Sequence, residues 1–323
     1  MNILITSAGR RVSLVRAFKK EVTKISSNGK VYTVDSNPQL SAACQVSDQF
    51  FKVPRLSDDT YFKVLLSICL EHNIKLIIPT IDTELLLLSQ KSALLASHGI
   101  QVVISSTDFI AKCRNKRVIH DFFESKGVRV AKEYKKDNYK LPLFIKPFDG
   151  SRSVDTYLIK KESELTQAHL SNDKFMFLEY IDPNEYNEFT CDLYYSKSHD
   201  LKCVVPRKRL EVRDGEVYKA LTQNNALVDY IKRHLSKIDG AVGCITAQFF
   251  LSKTDDSQIC AIEINPRFGG GYPLSYLAGA NFPKWLIEEY LLGKTIDDKF
   301  DTWENNLLMI RYDDEILVHG YKG

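Results

Sequence analysis

The sequence predicts an α/β domain followed by an α+β region, and three observations carry that expectation. Short apolar runs alternate with stretches of helical periodicity up to about residue 110. Beyond residue 111 the alternation gives way to strands joined by polar turns. Near the end, two apolar runs flank a polar turn at 252–257, and the second leads into Glu263-Ile264-Asn265-Pro266-Arg267-Phe268-Gly269-Gly270-Gly271. Repeated βα units build a parallel sheet with helices on its faces. Strands joined by short turns build antiparallel sheets.

In chain order, 2–6 reads as a strand and Ser7-Ala8-Gly9-Arg10 as a tight loop. Val12, Val15, Phe18 and Val22 then fall on one helical face. A second strand covers 30–34 and ends at Asp35. Further strands are expected at 76–79 and 101–105, with helices at 59–73 and 83–98. The first βα turn invites a dinucleotide site with Asp35 as the ribose acid. However, Ser7-Ala8-Gly9-Arg10-Arg11-Val12 holds one glycine where that fingerprint needs three. An NAD(P)-dependent dehydrogenase is thus a rival that the turn itself argues against.

A helix is expected from about Asn115 to Gly127, where glycine signals a C-cap. Leu143-Phe144-Ile145-Lys146-Pro147 is a buried strand carrying one lysine, a residue rarely buried unless paired. Strands follow at 175–181, 189–195, 202–205 and 209–213, and Asp214-Gly215 makes a hairpin turn towards 216–218. A helix at 227–238 precedes the apolar hairpin, and 274–292 is helical with a break near Asn281-Phe282-Pro283.

Composition excludes several classes. The chain has 323 residues, 44% hydrophobic and 26% charged, with a net charge of +3, which is ordinary for a soluble protein and too small to argue for nucleic acid or a membrane surface. Most Lys/Arg clusters are broken by acids and read as solvated faces. The seven cysteines are scattered without CxxC or Cys/His spacing, so neither a disulfide framework nor a zinc site is indicated, and a cytoplasmic location fits best. No leader-like N-terminus or membrane-spanning run is read in the sequence.

The hairpin carries the chemistry. Glu263 and Asn265 are two apart on a strand, so their side chains leave the same face. A carboxylate beside an amide oxygen makes an oxygen-only site that suits Mg²⁺. Arg267 places a planar cation beside it, as phosphate groups require. If the hairpin closes symmetrically about Asp255-Asp256, Gln248 lies opposite Glu263 and joins the same spot. A slip of one residue would turn it away.

Here the chain resembles the ATP-grasp ligases, in particular carbamoyl-phosphate-synthase-like and pyrrolysine-biosynthesis-like members, in which a Gln or Glu precedes a Glu-x-Asn-x-Arg motif. The resemblance implies ATP and Mg²⁺, or Mn²⁺, as cofactors, with Gln248, Glu263 and Asn265 as metal ligands. It implies that Lys116 and Lys146 hold phosphates and that the loop Asp149-Gly150-Ser151-Arg152-Ser153 closes on them. That loop has one glycine where the family is glycine-rich, so Arg152 could supply a side-chain contact instead. Glu179, Tyr180 and Ile181 match the segment whose backbone reads adenine, and Glu185 matches the acid that accepts from ribose. Arg267 and Lys146 are implied as catalytic. Arg10, Asp82, Arg207 and Gly270 are candidates for the substrate pocket. Arg10 and Asp82 follow strand ends, where open parallel sheets bind ligands. Arg207 begins a basic segment that is either a cationic wall or a solvated edge strand.

The implied architecture is a Rossmann-like pre-ATP-grasp domain at 1–110, a first ATP-grasp lobe at 111–181, a second lobe at 182–305, and a C-terminal strand and tail at 306–323. The implied activity is a carboxylate–amine ligase acting on small molecules through an acyl phosphate, with a homodimer compatible with it. A non-catalytic nucleotide-binding protein of the same fold is the alternative.

Overall fold

The computed structural model describes residues 1–150, 154–213 and 216–321. Its strands form three sheets. Strands β1 (Asn2–Ile5), β2 (Lys30–Asp35), β3 (Gln49–Lys52), β4 (Ile74–Ile78) and β5 (Gln101–Val102) form a parallel sheet in the order β3-β2-β1-β4-β5. The order reverses at β1, so the crevice beyond its C-terminal end is where side chains from several loops converge. Strand β3 and the short helix Ala42–Gln45 interrupt what sequence periodicity leaves blank. The helix expected at 83–98 is two helices, Asp82–Gln90 and Ser92–Ser97. Among the described residues no helix is long and apolar enough to cross a membrane.

The second sheet holds β6 (Glu133–Tyr134), β7 (Leu143–Pro147), β8 (Tyr157–Ile159) and β9 (Phe175–Glu179) in the order β6-β9-β7-β8. The third is antiparallel throughout: β10 (Tyr186–Tyr195), β11 (Leu201–Arg213), β12 (Glu216–Thr222), β13 (Gly243–Ser252), β14 (Ile259–Asn265) and β15 (Leu308–Ile310), ordered β14-β13-β10-β11-β12-β15. The two strands expected at 202–205 and 209–213 are one, running through Pro206. Proline lacks a ladder donor. It is tolerated here because β12 ends opposite Arg207 at Thr222, and the Pro206 carbonyl still accepts from Gln223 N at 3.0 Å. The hairpin turn at Asp214-Gly215 lies outside the described residues.

Packing ties the third sheet to the first. Phe268 meets Phe18 of the helix Val12–Ile25 edge-on, with ring centroids 6.0 Å apart, and also meets Tyr272 edge-on, which in turn packs on Phe282. All four rings are buried, each contributing about 1.5–3 kcal/mol by removal from water. This cluster fixes the Gly269–Gly271 turn against the C-terminal end of the parallel sheet. The seven cysteines are all free, and six are buried.

Candidate functional site

The site is built on the β13–β14 hairpin. Gln248 pairs with Glu263 as the sequence predicts, but by a different route. The hairpin closes about Asp255, pairing Leu251 with Ile259, Phe250 with Cys260 and Phe249 with Ala261. A bulge at Ile262 then restores the Gln248–Glu263 pairing. Such a bulge re-aims the residues after it. His120 holds it, its Nε2 lying 3.3 Å from the Ile262 carbonyl. Burial pushes this imidazole down to about 4, so it is neutral at pH 7 and donates to that carbonyl. Sequence reasoning missed His120. Its signal was the four-residue spacing from Lys116, which puts both on one face of the helix Lys116–Ser125.

Glu263 and Asn265 share a face, and Asn265 Nδ2 donates to Glu263 Oε1 at 2.9 Å. With the Gln248 amide oriented to satisfy its neighbours, its nitrogen donates to Glu263 Oε1 at 2.8 Å and its oxygen accepts from Arg209 at 3.1 Å. Arg209 also pairs with Glu188 of β10. Both therefore lie against this cluster; Arg209 belongs to the basic segment 207–209 read from the sequence, whereas Glu188 is not in that reading. Among the described residues no three His, Cys, Asp or Glu side chains converge as a self-sufficient metal site. One or two carboxylates plus amide oxygens nevertheless fit Mg²⁺, which takes much of its shell from water and phosphate oxygens.

Two lysines face this carboxylate. Lys116 Nζ lies 3.7 Å from Glu263 Oε2 and also donates to the Gly150 carbonyl. Lys146, on β7, is 8% exposed and makes no hydrogen bond or ion pair among the described residues. Burial brings its pKa down to about 8, with Glu263 opposing and Lys116 adding to the shift. A buried, unpaired ammonium is costly unless a ligand neutralises it. Gly150 is a tight fit, since a Cβ there would sit 2.4 Å from Pro147 Cγ. Ser151, with Arg152 and Ser153, lies outside the described residues.

The adenine-type segment leaves β9 beside these lysines. The Glu179 side chain is held by Arg129 at 2.9 Å and by Lys132 N at 3.3 Å, and its own N–H donates to Lys132 O at 2.8 Å. The backbone groups of Tyr180 and Ile181 make no hydrogen bond among the described residues. Glu185 is exposed in the next turn, and its carbonyl accepts from Lys253 N at 2.8 Å.

On the far side of the hairpin, the structure brings Arg267 and Asp82 together at 2.6 Å. The Arg267 Nε is buried without an acceptor among the described residues. Arg10 is exposed and pairs only loosely with Glu216, at 3.5 Å. The inward residue of that turn is Arg11, which donates to Phe268 O at 3.1 Å and Thr80 O at 3.0 Å. Arg207 corrects the expectation of a cationic wall or solvated edge. It is 1% exposed, because it is bidentate to fully buried Asp192 at 2.7 and 3.0 Å, which Ser275 also contacts. Gly271 exists for this guanidinium, since a Cβ there would lie 2.1 Å from Arg207 Nη1. Gly270 has room for a Cβ, and its carbonyl accepts from Arg311. Removing one partner of a buried pair strands the other charge. We expect Asp192→Ala to cost about 3–5 kcal/mol, read as a fall in Tm, with Ser275→Ala far milder.

Two family descriptions match the sequence. Residues 3–103 match a PylC-like N-terminal domain, and residues 171–310 match an ATP-grasp described as belonging to a biosynthetic pathway with the Ter operon. No curated protein matches the sequence. Solved structures similar in fold include the biotin carboxylase domain dimer of Hydrogenobacter thermophilus 2-oxoglutarate carboxylase, with MgADP and bicarbonate (TM-score 0.71, 13% identity, covering 95% of this chain and 73% of that one). L-amino acid ligase from Bacillus licheniformis gives 0.66 and 17%, covering 90% and 74%. N5-carboxyaminoimidazole synthetase from Staphylococcus aureus with ADP gives 0.67 and 15%, covering 92% and 78%. At these identities the likeness shows the fold.

Proposed function

The chain belongs to the ATP-grasp superfamily, and on that premise we propose that it is an ATP- and Mg²⁺-dependent ligase joining a small-molecule carboxylate to an amine. One observation carries this above the rest: Gln248, Glu263 and Asn265 converge on one face, with Lys116 and Lys146, the latter without a partner among the described residues, turned towards Glu263. A non-catalytic relative has no need to keep that set together. The alternative dinucleotide turn is disfavoured because Asp35, the would-be ribose acid, already accepts from Gly9 N at 3.0 Å and Asn37 N at 3.0 Å.

In this assignment the nucleotide lies between the second and third sheets. Free backbone groups at Tyr180 and Ile181 read the adenine, and exposed Glu185 is within the segment that would meet ribose. Lys116 and Lys146 hold the phosphates. Gln248, Glu263 and Asn265 hold Mg²⁺, which when bound neutralises charge on the phosphate oxygens. Arg267, fixed by Asp82, turns its unpartnered Nε towards the transferring group. The substrate carboxylate oxygen bonds to the γ-phosphorus as the bond to the bridging oxygen breaks, releasing ADP. The amine then attacks the acyl carbon, phosphate leaves with the C–O electron pair, and the nitrogen loses a proton. Positioning and charge neutralisation supply most of the acceleration. We assign 1–110, 111–181 and 182–305 to the preceding domain and the two lobes, and 306–323 to the terminal strand and tail. Seven free thiols support a cytoplasmic location, and a homodimer, as in the similar carboxylase domain dimer, is the assembly to test by sedimentation.

ADP release screened over paired carboxylates and amines tests the assignment. Carboxylate- and amine-dependent ADP formation supports it. ATP binding without turnover on any pair points to the non-catalytic alternative, and NAD(P) binding to the dehydrogenase. A pH dependence follows as well. Lys146 loses its proton as pH rises through about 8 in the free protein, whereas bound phosphate favours the ammonium. ATP affinity should therefore be flat below pH 8 and weaken by up to roughly tenfold per unit above it, in calorimetric titrations. A flat profile to pH 10 would place Lys146 away from phosphate.

A further inference from the structure

A small pocket opens beside the Gly269–Gly271 turn that follows Arg267. Its lining includes Arg10, Arg11 and Arg311, with Ser13, Leu14 and the 269–273 segment forming the rest of the wall. The arginines form a row running out from the hairpin. Arg267 Nη1 and Arg11 Nη1 donate to the same carbonyl, Phe268 O, at 3.2 and 3.1 Å. Arg311 donates to Gly270 O two residues further along. Glu216 sits at the end of the row, 3.5 Å from Arg10 and 3.6 Å from Arg311.

The charges do not balance. Four guanidinium groups, Arg10, Arg11, Arg267 and Arg311, face two carboxylates, Asp82 and Glu216. Asp82 is engaged by Arg267 at 2.6 Å, and Glu216 is 47% exposed, so its two long contacts are weak and screened by solvent. Arg207 is left out of the imbalance because its charge is offset by its bidentate contact with buried Asp192, although its buried Nη1 keeps no acceptor among the described residues. Crowded guanidinium groups repel one another, and burial together with Arg267 already lowers the Arg11 pKa to about 10. Arg267 in addition keeps a buried Nε without an acceptor among the described residues, and an orphaned buried donor is costly. A row of forked cations with spare donors fits planar or tetrahedral oxyanions.

We propose that the carboxylate substrate carries a second anionic oxyacid group, a phosphate or another carboxylate, seated by Arg10, Arg11 and Arg311 while its reacting carboxylate lies at Arg267. It rests on the ligase assignment above for which end reacts, but the pocket itself can be tested without turnover. The full chain is titrated, without nucleotide, with inorganic phosphate and with pairs that differ by one anionic group: glycerate against 3-phosphoglycerate, and butyrate against succinate. The two-anion member should bind at least roughly tenfold more tightly, and the Arg10→Ala/Arg311→Ala variant should erase that preference while ATP affinity stays within about threefold. Arg11 is left intact because its bonds to Phe268 O and Thr80 O support the loop. Preference for 3-phosphoglycerate over succinate identifies the group as phosphate, and the reverse as carboxylate. Equal binding within both pairs, a preference that survives in the double variant, or no binding of any two-anion compound at tens of millimolar would overturn the proposal. Anion preference without ADP release on any substrate pair would sink the ligase assignment and leave the pocket standing.

Discussion

Glu263→Gln is expected to lower ADP formation by about 10³-fold, the scale of losing one preorganised charge contact, with folding preserved. The carboxylate is the meeting point of the hairpin: Asn265 and Gln248 donate to it, Lys116 lies 3.7 Å away, and its charge opposes the depression of the Lys146 pKa. The amide keeps the volume and much of the hydrogen bonding, so Tm should move little, and any loss is chemical. Glu263 is also partly exposed, so no deeply buried charge is stranded apart from Lys146. Losing the negative neighbour should lower the Lys146 pKa further and move the alkaline limb of ATP binding below pH 8. Turnover within tenfold of wild type would remove Glu263 from the metal site.

Lys146→Met separates function from stability in opposite directions. The ammonium is buried and makes no hydrogen bond or ion pair among the described residues, and its pKa falls from 10.5 to about 8. The folded state therefore binds this proton less well than the unfolded state. The sign follows: the penalty is fully present below about pH 8, shrinks as pH rises, and is gone by about 10.5. Its size is roughly 3 kcal/mol, so methionine should hold or raise Tm at pH 7 and make no difference near pH 10.5. ATP affinity should fall by more than tenfold, a loss of at least about 1.4 kcal/mol. A lower Tm with unchanged ATP affinity would make Lys146 a structural residue.

Much of this site was legible because strand periodicity is rigid. Glu263 and Asn265 had to share a face once their run was read as a strand, and the Gln248 pairing survived even though the turn closes one residue earlier and a bulge at Ile262 compensates. A bulge has no composition signal of its own, and its support, His120, comes from a helix far away in sequence. Arg207 was misjudged for a related reason. A basic residue in an alternating strand reads as solvent-facing, and only the register that places Asp192 beside it shows a buried pair. Pro206 split one strand into two in the sequence, because nothing local reveals that β12 stops at Thr222. Arg11 went unnoticed beside Arg10 because a loop has no period to say which side chain turns inwards, and both line the same pocket. Glu188 was hidden until the pairing of β10 with β11 placed it beside Arg209 of the basic segment.

The most direct test of the central claim is a crystal structure of the full chain with Mg²⁺ and a non-hydrolysable ATP analogue. The account predicts adenine against the backbone of Glu179 to Ile181, phosphates on Lys116 and Lys146, and the metal on Glu263 and Asn265, with the γ-phosphate facing Arg267. Nucleotide bound instead at the Ser7–Arg11 turn beside Asp35, or a metal held away from the β13–β14 hairpin, would contradict it.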